Sequence, residues 1–117
     1  MKDTIAYIKT EDRTYPLVFN LNVMEEIQEQ YGSLDAWGEK TQGEGEPDVK
    51  SLKSGVMAMI NEGIDIENEK NGTNEPFVNA KQVGRIMTEV GIQEIVAKIQ
   101  EITVASTKSG EEEGKNE

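Results

Sequence analysis

The sequence predicts an α+β fold: an N-terminal β-hairpin packed against four or five α-helices, followed by a disordered acidic C-terminal tail. Three observations carry this. The β-branched and aromatic runs of strand length fall within the first 20 residues. The apolar residues that follow recur at helical spacing, and capping residues precede them. The final segment 106–117, STKSGEEEGKNE, contains no apolar side chain. Strands first and helices after is the order of an α+β domain with its helices covering one face of the sheet.

Residues 4–9, TIAYIK, and 15–20, YPLVFN, read as two strands joined by a polar turn of about five residues. Pro16 belongs at a strand start or on an edge, because it has no N–H to donate. A lone hairpin is marginal in water, so this one must pack on helices or pair with another chain. Next, Asn22 and Glu25 stand at capping-box spacing. Val23, Met24, Ile27 and Tyr31 then share a face, and Gly32 stands where a C′ glycine ends a helix. Ser33 caps a short second helix with Leu34 and Trp37 inward and Gly38 closing it.

Residues 39–47, EKTQGEGEP, form a loop. Pro47 or Asp48 starts a third helix with the stripe Val49, Leu52, Val56, Met59, Ile60 and Ile64, weakened near its end by Gly63. Residues 65–76, DIENEKNGTNEP, read as a mobile polar loop. Asn79 and Gln82 form a second capping box, with Val78 and Val83 as its hydrophobic staple. Val83, Ile86, Met87 and Val90 make the stripe of that helix. Gly91 breaks the chain, and Ile92, Ile95, Val96, Ile99 and Ile102 continue in a last helix. Residues 1–105 are thus one α+β domain, and 106–117 a tail that buries nothing to offset the entropy of ordering it.

Composition narrows the function classes. The chain of 117 residues carries 23 acids against 12 bases, a net charge of −11. That balance disfavours nucleic-acid backbones and anionic membranes, and favours neutral or basic partners. There is no cysteine and no histidine, so the usual nucleophile, general base and soft metal ligands are missing. No apolar run approaches the roughly 18 residues of a membrane span, and the N-terminus has no signal-peptide core. The expected location is the cytoplasm.

Candidate chemistry is sparse. The acidic stretch from Asp65 fails as a calcium loop in both registers: from Asp65, Lys70 stands where glycine is required, and from Glu67 the last ligand position is Val78. Asn71-Gly72-Thr73 is a glycosylation sequon without a secretion signal. The carboxylate groups Glu25/Glu26/Glu29 and Glu111/Glu112/Glu113 lie on a solvent face and in the tail, where nothing separates their pKa values. No cofactor or metal is expected, and no catalytic residue. The candidates for partner binding are Tyr31, Leu34 and Trp37, which could form an aromatic anchor, and Met57, which lies off the main stripe of its helix. For Trp37 the periodicity favours core packing.

The stretch YPLVFNLNVMEEIQEQYGSLDAWGE resembles the tail assembly chaperones of long-tailed, siphovirus-type phages and prophages of Gram-positive bacteria. The resembling features are a hairpin ending in an apolar strand, an LN entry into an acidic helix, and an aromatic-Gly-Ser-Leu turn followed by a tryptophan. GVMAMINEGIDIENE and FVNAKQVGRIMTEVGIQEI are similar to the middle and last helices of the same family, so the likeness spans roughly residues 3–105.

The resemblance implies a non-catalytic chaperone in the bacterial host cytoplasm. Such a chaperone binds the long apolar helices of the tape measure protein and helps recruit tail tube protein subunits. It also implies a C-terminal extension made by ribosomal slippage. Gly114-Lys115-Asn116 can be encoded as A AAA AAC or A AAA AAT, which permits such a slip, and the gene sequence decides that. Self-association through the hairpin edge, giving a homo-oligomer, fits the same expectation. The competing expectation is an acidic DNA mimic that inhibits a nucleic-acid-binding protein, which requires carboxylates arrayed on one rigid face.

Overall fold

A computed structural model describes the backbone of residues 5–115 and the side chains of residues 5–104. Its elements are β1 (Ile5–Lys9), β2 (Thr14–Val18), α1 (Leu21–Tyr31), α2 (Leu34–Gln42), α3 (Val49–Asn71), α4 (Ala80–Val90) and α5 (Ile92–Lys115). The hairpin followed by five helices is the expected α+β fold.

β1 and β2 pair antiparallel with Ile5 opposite Val18 and Lys9 opposite Thr14. The turn is locked from inside. The Thr10 N–H donates to the Arg13 carbonyl at 2.9 Å, and the Thr10 hydroxyl donates to that carbonyl and accepts from the Arg13 N–H. Hydrogen-bonded and non-bonded pairs alternate from Thr10/Arg13 along the ladder, so Tyr7/Pro16 falls on a non-bonded pair. The missing N–H of Pro16 therefore costs the hairpin nothing. Pro16, Leu17, Val18 and Phe19 are all buried, so β2 is covered on both faces. β1 alternates, with Ile8 inward and Tyr7 and Lys9 outward.

α3 is the hub: it packs against β2, α1, α2 and α4, while α5 touches β1 and α4. Its stripe Leu52, Val56, Met59, Ile60 and Ile64 meets Ile8 and Leu17 of the hairpin, Val23 and Ile27 of α1, and Ile95, Ile99 and Ile102 of α5 in one core. Burying a side chain of this size contributes about 1.5–3 kcal/mol. No helix among the described residues is long and apolar enough to cross a membrane.

Several boundaries differ from expectation. α1 is capped by Asn20, whose Oδ1 accepts from the Val23 N–H at 3.1 Å, and not by Asn22. Asn22 instead lies inside the first turn, and its amide donates to Glu62 of α3. α2 does not close at Gly38 but runs to Gln42, because Thr41 is buried and its hydroxyl donates to the Trp37 carbonyl. α3 continues through the segment expected as a loop, ending at Gly72 in the left-handed conformation with its N–H on the Asn68 carbonyl. The residues after it are tied to Asn68, whose side chain bonds Thr73 and both backbone groups of Glu75. Val49 and Ile92, placed on stripes from periodicity, are exposed first-turn residues. The expected tail 106–117, with the slip site in it, falls on residues whose side chains lie outside those described.

α3 begins at Asp48, whose carboxylate accepts from both the hydroxyl and the N–H of Ser51. Those two bonds, helped by Lys40 and Lys50, hold its pKa below the ordinary value. A carboxylate with a lowered folded pKa stabilises the fold above its unfolded pKa, about 3.9 for Asp. That contribution is lost as the pH falls through the folded value. The stability difference between the wild type and Asp48→Asn, from denaturant unfolding at stepped pH, should therefore shrink below about pH 4. A difference constant down to the lowest accessible pH would remove Asp48 as a pH-dependent cap.

Candidate partner-binding groove

α1 runs antiparallel along α3. At one end the amides of Asn20 and Asn22 donate to the Glu62 carboxylate at 2.7 and 2.9 Å. At the other end the Tyr31 hydroxyl donates to Ser54 Oγ, which donates to Gln30. Three of the four candidates from sequence gather near the Tyr31 end. Trp37 is 2% exposed, and its Nε1–H donates to the Ser51 carbonyl at 2.9 Å. Tyr31 and Leu34 are half-buried and pack against the same core. As folded, Trp37 has no face to offer a partner, while Tyr31 and Leu34 each keep a partly open edge.

Met57 lies one turn further along α3 than Ser54, in a recess of about 300 Å³ between α1 and α3. The recess has an apolar floor of Val23, Met57 and Ala58, and Phe77 stands at its side. Its rim carries Asn22, Glu26, Asn61, Glu62 and Asp65. The rim therefore holds three carboxylates and no cation. Phe77 is 56% exposed, unusual for an aromatic residue beside a core. It is held there by its neighbour: the Asn61 side chain accepts from the Val78 N–H at 2.8 Å and donates to the Val78 carbonyl at 3.0 Å. That clasp fixes the chain leading into α4, where Val78 turns into the core and leaves Phe77 outside.

This recess suits an apolar side chain presented by a helix, with the adaptable Met57 on its floor and Phe77 as a wall. Its carboxylates would meet cationic residues flanking such an anchor. Among the described residues no group of three His, Cys, Asp or Glu is placed to hold a metal ion, and no buried side-chain polar atom lacks a partner.

Of the recess residues, the sequence singled out Met57 as a partner-binding candidate and placed Val23 only on the inner stripe of its helix; Phe77, Asn61, Glu62 and Asp65 were missed. Phe77 did carry a signal, as the one aromatic residue outside every predicted stripe and strand. The acids carried none: Asp65 fell in the expected loop, and Glu62 lies off the apolar stripe of its helix. No family model matches this chain, and no curated protein or solved structure matches it.

Proposed function

We propose that the protein is a non-catalytic tail assembly chaperone of a siphovirus-type phage or prophage. In this reading it holds an apolar, cation-flanked helix of the tape measure protein in the α1–α3 groove and helps recruit tail tube subunits in the bacterial cytoplasm. The observation that carries the reading is the groove itself: Met57, Val23 and the exposed Phe77 within an acidic rim. The sequence resemblance over roughly residues 3–105 gives the partner its name. A net charge of −11 supports the role physically, since an acidic coat on an apolar helix opposes aggregation by repulsion.

The test is co-expression with the tape measure protein encoded at the same locus. The expected result is a soluble complex that co-purifies. Met57→Glu and Phe77→Ala are each expected to weaken it at least about tenfold, as for an anchor at the centre of an interface. Far-UV circular dichroism should stay unchanged for Phe77→Ala, whose side chain is largely solvent-facing. Absence of any complex would remove the chaperone reading. A complex indifferent to both variants would move the binding face elsewhere.

A further inference from the structure

A second trough of about 600 Å³ lies where the first turns of α3 meet α4, and it shares no lining residue with the α1–α3 groove. Its charge is opposite. Lys53 on α3 and Lys81 and Arg85 on α4 line it, around the exposed side chain of Val49. Three of the chain's 12 cations are therefore gathered in one trough of a protein with 23 acids.

The arrangement is built into the helix contact. Lys81 and Arg85 are spaced i, i+4 and so share a face of α4. Lys53 reaches across from α3, with its Nζ 3.3 Å from where a Cβ on Gly84 would stand. Glycine at 84 thus leaves a lane along which the Lys53 side chain lies against α4. Glu89, the acid that also lines the trough, has one carboxylate oxygen accepting the Glu11 N–H at 2.7 Å. Among the described residues Lys53, Lys81 and Arg85 make no ion pair.

We infer that this trough is a second docking surface, and that its occupant is an acidic amphipathic segment of a partner protein. Charge complementarity selects it: three unpaired cations flank an apolar centre, which matches carboxylates spaced around an apolar side chain. A nucleic-acid strand fits less well. Its affinity rests on phosphate neutralisation, and three cations neutralise only a few phosphates. With one acidic groove and one basic trough on the same helix, α3 can bridge two partners of opposite charge.

The probe is a synthetic helical peptide of Leu and Glu repeats, about 18 residues or five turns long, titrated into the ¹⁵N-labelled full chain. The acidic peptide is expected to shift the amide resonances of Lys53, Gly84 and Arg85, and the same peptide with Lys for Glu is not. The double variant Lys81→Glu/Arg85→Glu is expected to bind the acidic peptide about tenfold more weakly or worse. It should keep its circular dichroism and its complex with the apolar helical partner, which separates this surface from the groove. No shift at millimolar peptide, equal binding by the double variant, or a stronger response of these amides to a single-stranded DNA oligonucleotide would each overturn the inference.

Discussion

Trp37→Ala is expected to destabilise the protein by about 3–5 kcal/mol, the range for deleting a large buried aromatic side chain. Domains of this kind have a total stability between about 5 and 15 kcal/mol, so that change removes a large fraction of it. Two losses combine. The indole fills the space between α2 and α3, where it is 2% exposed. Its Nε1–H also donates a second hydrogen bond to the carbonyl of Ser51, a buried residue at the start of α3. Truncation leaves a cavity and removes that second bond to the Ser51 carbonyl, which keeps its helical partner. Denaturant unfolding checks it, and a loss under about 1 kcal/mol would mean that α2 collapses onto α3 without the ring. Binding, measured where the variant is still folded, should change little, because the ring has no exposed face.

Gly55→Ala is expected to destabilise by about 2 kcal/mol, although alanine is the better helix former by about 1 kcal/mol. A Cβ on Gly55 would overlap Cζ2 of the Trp37 ring. The ring is hydrogen-bonded and enclosed, so it cannot swing aside. Gly63→Ala meets Pro16 carbons at 2.8 Å and should be destabilising but milder. Gly38, inside α2 with nothing within 4 Å of its Cβ position, is the control: Gly38→Ala should stabilise by up to about 1 kcal/mol. The expected order of stability is Gly38→Ala, wild type, Gly63→Ala, Gly55→Ala. Any variant above the wild type other than Gly38→Ala would contradict the close approaches of α3 to α2 and the hairpin.

The parts of the fold that were legible in the sequence are those set by short-range chemistry. Asn79 and Gln82 form both halves of the capping box read from their spacing. Ser33 caps α2, Gly32 ends α1 with its N–H on Gln28, and Gly91 separates α4 from α5. The hairpin was legible from two β-rich runs around a polar turn.

What was not legible was decided by tertiary contact. Asn20 and Asn22 offer the same capping chemistry two residues apart, and both amides donate to Glu62, 42 and 40 residues away, but it is the Asn20 Oδ1 that accepts from the Val23 N–H of the first turn. The acids of residues 65–71 suggested a loop, yet Ile64 is buried and Ile66 partly so, which holds α3 helical to Asn71. Gly55 carries no mark in the sequence of its packing against Trp37. The groove was the least visible feature, because its lining comes from α1, from the middle of α3 and from Phe77. Of the four residues named from sequence, Met57 lies in it, while Tyr31, Leu34 and Trp37 sit toward the other end of the same helix pair.

The central claim is that the recess around Met57 receives an apolar helix of the tape measure protein. Site-specific photo-crosslinking tests it most directly, with a benzophenone amino acid placed at Met57 and, as a control, at the exposed Val104. In cells expressing the partner, the account predicts a crosslink to that protein from position 57 and none from position 104. Crosslinks from position 104 with none from 57 would contradict it.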